Sequence, residues 1–150
     1  MSVTSPTSSD PVLWQRVHGS FVRQGLMVHL GAQLVSVQAG RVEIELPYAE
    51  RVTQQQGVFH GGAIGALADI TAGYAALTVA APELEVTTIE YKINFLAAYP
   101  SGRLLATGEV VRAGRRVIVA TAHVVHIDEQ GQRKDCAIMQ ATIAPIPKTY

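Results

Sequence analysis

The sequence predicts an α+β fold in which a curved antiparallel β-sheet wraps around one long central α-helix. Three observations carry this: an almost unbroken apolar run from Gly61 to Ala80, two β-type segments before it, and four after it. A helix that is apolar on every side has to be buried. Six strands accompanied by a single such helix are most simply arranged with the sheet curved about it. At 150 residues and 48% hydrophobic, the chain can bury one sizeable core. Residues 10–150 read as one domain, and the Ser/Thr/Pro-rich stretch 1–9 as a disordered lead.

Each element has its own signal. Asp10-Pro11 puts a capping carboxylate before a proline at the first helical position, and Val12, Leu13, Val17, Phe21 and Val22 follow at helical spacing. This predicts an amphipathic helix over 11–24. Segments 33–38 and 41–46 flank Ala39-Gly40, and the second alternates Val42, Ile44 and Leu46 with Arg41, Glu43 and Glu45, as one arm of a β-hairpin does. A glutamine-rich loop leads into the central helix, which ends near Ala81-Pro82 because proline cannot continue it. Strands follow at 86–97, 103–112, 116–127 and 133–144, separated by Gly102, Ala113-Gly114 and Glu129-Gln130-Gly131. Strict alternation in the first of them puts Thr87, Ile89, Tyr91, Ile93 and Phe95 on one face and Thr88, Glu90, Lys92 and Asn94 on the other.

Composition narrows the function. Twelve basic residues balance twelve acidic ones, so there is no electrostatic footprint for nucleic acid or for an anionic membrane. The apolar segment contains Asp69, Thr71 and Thr78 and is rich in Ala and Gly, which suits a core helix better than a bilayer span. The lone Cys136 reads as a small core residue of a reducing compartment, and with no secretory pattern at the N-terminus a cytoplasmic location is expected. His18, His29, His123 and His126 lack metal-ligand spacing, so no metal is expected.

Asp69 is the one charge in the central helix. Its helical neighbours three and four positions away are Ala66, Gly65, Ala72 and Gly73, none of which can pair with it. A carboxylate among apolar residues needs hydrogen bonds or a role. The helix opens at Gln-Gln-Gln-Gly-Val-Phe-His-Gly-Gly, where Gly61 and Gly62 allow close approach to the free N–H groups of the first turn.

Gly57-Val58-Phe59-His60-Gly61-Gly62, with an acid nine positions after the His, a buried helix and four following strands, resembles the hotdog-fold acyl-CoA thioesterases of the phenylacetate-pathway (PaaI-like) family over roughly residues 30–145. The stretch Asn94-Phe95-Leu96-Ala97-Ala98-Tyr99-Pro100 departs from the family's Asn-x-x-Phe-Leu-Arg-Pro corner. The resemblance implies hydrolysis of an acyl-CoA thioester to a free acid and CoA. In it Asp69 is general base or nucleophile, the Gly61 N–H is the oxyanion donor, and Gln54 positions substrate or water. His60 shapes the loop or exchanges a proton, and Thr88 matches a Ser/Thr that holds the attacking water. Gly57 and Gly62 belong to the substrate-binding loop. Arg112, Arg115 and Arg116 surround a turn, and guanidinium forks there suit the phosphates of CoA. No cofactor is implied beyond the CoA carried by the substrate. A hydratase or dehydratase of the same fold and a non-catalytic acyl-CoA-binding protein are the alternatives.

Gly61 and Asp69 are eight residues apart, about 12 Å along a helix, so one thioester cannot touch both in one chain. Two central helices packed antiparallel about a two-fold axis bring Asp69 of one chain opposite Gly61 and Gln54 of the other. A homodimer is therefore the expected minimal unit, with a homotetramer as its extension, and Ala63, Ala66 and Gly73 are small enough to let helices approach closely.

Overall fold

A computed structural model describes residues 7–150. The chain runs α1 (Pro11–Phe21), α2 (Gly25–Leu30), β1 (Gln33–Gln38), β2 (Arg41–Pro47), a short 3₁₀ turn (Glu50–Val52), α3 (Gly61–Val79), β3 (Leu84–Phe95), β4 (Arg103–Ala113), β5 (Ile118–Ile127) and β6 (Arg133–Pro147). All six strands form one antiparallel sheet in the order β1-β2-β4-β5-β6-β3, which leaves β1 and β3 as its edges. Of the lead 1–9, residues 1–6 lie outside the described residues. Thr7 pairs with β1, its N–H donating to Val35 at 3.1 Å and its carbonyl accepting from Val37 at 3.2 Å.

The first helix begins as its cap dictates: Asp10 Oδ1 accepts from the N–H groups of Val12 and Leu13 at 3.0 and 3.1 Å, with Pro11 in the first turn. It stops at Phe21, not at 24. Gln24 is extended (φ −79, ψ 100), and a second helix begins at Gly25. Glycine is a poor helix continuer, and the Gln24 side chain is drawn to Tyr74 by a 3.0 Å hydrogen bond that local periodicity does not contain. The hairpin turns at Gly40 (φ +76), whose N–H is taken by Thr78 Oγ1 at 2.8 Å, fastening the turn to α3.

The sheet curves around α3. Leu67, Ala68, Ala72, Ala75 and Ala76 are fully buried, and Ile64 and Leu77 almost so. Each large aliphatic side chain so removed from water stabilises the fold by ~1.5–3 kcal/mol. The close approach of β4 depends on Gly108, where a Cβ would stand 2.4 Å from the carbonyl oxygen of Thr71. The buried Thr71 hydroxyl donates to Leu67 O at 2.6 Å, so the helix interior holds no unmet polar group there.

Burial is not complete on all sides as an all-apolar helix suggests. Gly62, Ala66, Asp69, Ile70 and Gly73 form a stripe that the sheet leaves open, whereas Ala63 lies against the sheet. The C-terminal end of α3 is closed by Arg16 of α1, whose guanidinium donates to the carbonyls of Ala80 (2.9 Å), Ala81 (2.9 Å) and Leu84 (2.7 Å). A cation at a helix C-terminus also complements the dipole. Arg16→Ala is expected to lower unfolding free energy by about 1–3 kcal/mol, measured by urea denaturation, with little loss for a substitution at exposed Gln15 as the reference.

Candidate active site

The loop before α3 is rigid for local reasons. Gln54 N–H donates to Val58 O at 3.0 Å and Gly57 N–H to Gln54 O at 2.9 Å, closing a turn that Gly57 enters at φ +75, a conformation that disfavours any side chain. Tyr48 Oη donates to Gly57 O at 2.7 Å, and the Tyr48 ring meets Phe59 edge-on. Phe59 N–H donates to Tyr99 O and His60 N–H to Val52 O, at 3.0 and 2.8 Å. Tyr99, in the corner where the family's arginine is missing, stacks its ring on buried His126 with centroids 4.0 Å apart.

His60 is the N-cap of α3, and its Nδ1 accepts from Gly62 N–H at 2.7 Å. The glycine relieves crowding here, since a Cβ at 62 would stand 3.0 Å from that nitrogen. With Gly62 capped by His60 and Ile64 bonded to His60 O, the Gly61 N–H finds no acceptor among the described residues. It is a donor at the positive end of a nineteen-residue helix. The Gln54 side-chain oxygen is turned back onto Gln56 N–H of its own loop.

Two turns further along α3, Asp69 is half-buried on the open stripe. Thr88 Oγ1 donates to Asp69 Oδ1 at 2.7 Å. Alternation assigns Thr88 to the polar face of β3, and the structure corrects this. Thr88 pairs with Ile143 and Glu90 with Thr142, so Ile89 is an extra residue, a β-bulge. Before the bulge Val86 and Thr88 face the helix; after it Tyr91, Ile93 and Phe95 do. A one-residue insertion switches which side chains share a face, and here it lets both the threonine and the aromatics reach α3.

Those aromatics were not legible as site residues. A Cβ on Gly61 would meet the Phe95 ring at 3.4 Å, and one on Gly65 would meet Tyr91 Oη at 3.6 Å. Gly61, Gly65, Asp69 and Gly73 recur at every fourth position, and that spacing was the available signal. Asp69 and Thr88 border a cavity of about 100 Å³ reaching inward past Gly73.

Arg112, Arg115 and Arg116 lie at the β4–β5 turn, exposed and without side-chain partners among the described residues. This turn is at the far end of the helix: Gly108 of β4 touches Thr71, and Val110 lies beside Gly40 where Val79 also packs. Within one chain the arginines are therefore separated from Gly61 by most of α3. No cluster of three metal-binding side chains occurs among the described residues; His123 pairs with Asp135 at 2.8 Å, while His126 bonds Ser101 O at 2.9 Å.

The thioesterase superfamily profile matches residues 56–131, which contain the His-Gly-Gly corner, Asp69 and Thr88. The chain belongs to this superfamily. Among relatives, it is 31% identical to the 1,4-dihydroxy-2-naphthoyl-CoA hydrolase of Listeria monocytogenes over 80% of this chain and 94% of that protein. It is 42% identical to SSO2140 of Saccharolobus solfataricus, a candidate esterase, over 60% of this chain and 64% of that protein. A thioesterase family protein from Silicibacter pomeroyi superposes with a TM-score of 0.86 at 37% identity, covering 91% of this chain and 99% of that one. The PaaI protein of Escherichia coli shares the fold, with a TM-score of 0.79 at 22% identity over 91% and 95% of the two chains. The expected hotdog architecture is thus the one this thioesterase has, and α3 is its core helix.

Cys136 of the thioesterase is fully buried, and burial pushes its thiol up to about 11. Thiolate is the reactive form, so at pH 7 the folded protein is expected to resist iodoacetamide and to be alkylated once unfolded in urea, as read by intact mass.

Proposed function

We propose that this thioesterase hydrolyses acyl-CoA thioesters, with Asp69 of one subunit and the Gly61 corner of a second completing each site. The observation that carries the reading is Asp69 itself. It is held by Thr88, borders a cavity, and lies on a helix stripe of small residues that its own sheet does not cover. The Thr88 hydrogen bond occupies one carboxylate oxygen and leaves the other free to act.

Water attack at the thioester carbonyl needs a base for the water proton and a donor for the charge that develops on oxygen. Asp69 serves as the base, or adds directly to the carbonyl and is then released by water. The Gly61 N–H donates to the developing oxyanion, a contribution worth ~2.7–4 kcal/mol in comparable sites. The C–S bond then breaks, and the CoA sulfur leaves as a thiolate that takes up the proton. Carboxylate, water and backbone amides suffice for this sequence, and CoA enters only with the substrate.

The two groups stand about 12 Å apart along α3, which motivates the second subunit. Antiparallel pairing of the open stripes brings Asp69 opposite the partner's Gly61 and Gln54. It also gives the unpaired edge of β3, with Ile89 58% and Phe95 53% exposed, something to pack against. A homodimer is the minimal unit in this reading, and two such dimers form a homotetramer. Arg112, Arg115 and Arg116 are assigned to the phosphates of CoA.

Asp69→Asn is expected to lower kcat by on the order of 10²–10⁴ in a thiol-release assay with a panel of acyl-CoAs. Light scattering should give the same dimer or larger assembly as wild type, and retained turnover removes Asp69 from the chemistry. Arg115→Ala and Arg116→Ala should raise KM with kcat held; an unchanged KM removes both from the CoA site.

A further inference from the structure

The cavity beside Asp69 has a shape that bears on which acyl groups fit. Gly73 lies one helical turn beyond Asp69, and a Cβ built there meets nothing within 4 Å. Glycine weakens a helix interior relative to alanine, and within the chain itself no close contact or positive φ calls for it at this position. What its missing side chain leaves is space, walled by Ile70, Leu77 and Val86 and bordered also by Glu85, whose carboxylate accepts from the Tyr150 hydroxyl.

The far end of that space is polar and fixed. Tyr74 is 3% exposed and packs edge-on against Phe21, with ring centroids 6.1 Å apart. Burial pushes its phenol above the ordinary range, so it remains a neutral hydroxyl. Gln24 Nε2 donates to that hydroxyl at 3.0 Å, and Ser20 Oγ is 3.1 Å from it. Ser20 and Gln24 also line a second, outer cavity of about 290 Å³ beside Arg23 and Tyr150. The same two side chains thus separate the inner space from the outer one. Tyr150 lines the outer cavity, its hydroxyl donating to Glu85 at 2.7 Å and its ring lying beneath the Arg23 guanidinium.

We propose that Gly73 opens the acyl pocket and that Gln24, tethered to Tyr74 beside Ser20, ends it, so that this partition sets the longest acyl group the enzyme accepts. The proposal rests on the assignment of Asp69 to catalysis and adds a substrate class to it: thioesters of short acyl groups. A ~150 Å³ apolar cavity holds the six carbons of a benzene ring, so about 100 Å³ takes roughly four carbon atoms.

The test measures kcat/KM by thiol release over acetyl-, butanoyl-, hexanoyl- and decanoyl-CoA. Wild type is expected to favour butanoyl- or hexanoyl- over decanoyl-CoA by ~10-fold or more, the scale set by misfitting methylenes. Gly73→Ala adds one methyl group into open space. With the wild-type assembly retained by light scattering, it should lower the hexanoyl-to-acetyl ratio by ~10-fold, and Gly73→Val should lower it further. Gln24→Ala joins the two cavities and should raise the decanoyl-to-butanoyl ratio by ~10-fold, a shift opposite in direction that simple loss of stability does not produce. Equal wild-type rates with butanoyl- and decanoyl-CoA, or variant profiles that match wild type, overturn the partition while leaving hydrolysis at Asp69 standing. Absence of thiol release from every ester overturns both.

Discussion

A single sheet cannot enclose a helix, and this constraint organises the molecule. α3 is apolar around its whole circumference, yet β1 to β6 leave the stripe through Gly62, Ala66, Asp69, Ile70 and Gly73 uncovered. An open stripe on a core helix costs free energy in an isolated chain. It is also where Asp69 stands beside a cavity. The half-burial of Asp69 and the proposed need for a second copy thus have one origin.

The parts that flank the stripe are held by interactions of unequal reach. At the start of α3, backbone hydrogen bonds tie the 53–60 loop to Val52 and Tyr99, and the His60 cap consumes the Gly62 donor while leaving that of Gly61. At its end, Arg16 gathers the carbonyls of Ala80 and Ala81, which follow α3, and of Leu84 at the start of β3. Both ends are therefore fixed by groups that spend hydrogen-bonding capacity on backbone, which keeps Asp69 and the Gly61 N–H in constant relation along the helix. In the proposed reaction, a donor that is already oriented need not be reorganised as charge develops.

The bulge at Ile89 shows how a local irregularity serves the site. Without it, a continuous period of two would place either Thr88 or the set Tyr91, Ile93 and Phe95 toward α3, but not both. With it, one edge strand supplies the hydrogen bond to Asp69 and the aromatic cover over Gly61 and Gly65. Gly61 and Gly65, one turn apart on α3, make room for the Phe95 and Tyr91 rings.

By itself the sequence determined the succession of two strands, central helix and four strands, the cap at Asp10, the hairpin turn at Gly40, the buried helix with its one acid, and the His-Gly-Gly entry to it. Each follows from neighbours within a few residues, through periodicity, capping or turn chemistry. The tertiary structure alone decided that Thr88 faces Asp69, that α1 stops at Phe21, and that Ser20 and Gln24 stand against Tyr74. It also decided that the arginines of the β4–β5 turn lie at the far end of the helix from Gly61. These pairings join residues 19 to 54 positions apart, and sequence spacing does not encode where a sheet bulges or how far it curves before meeting the helix.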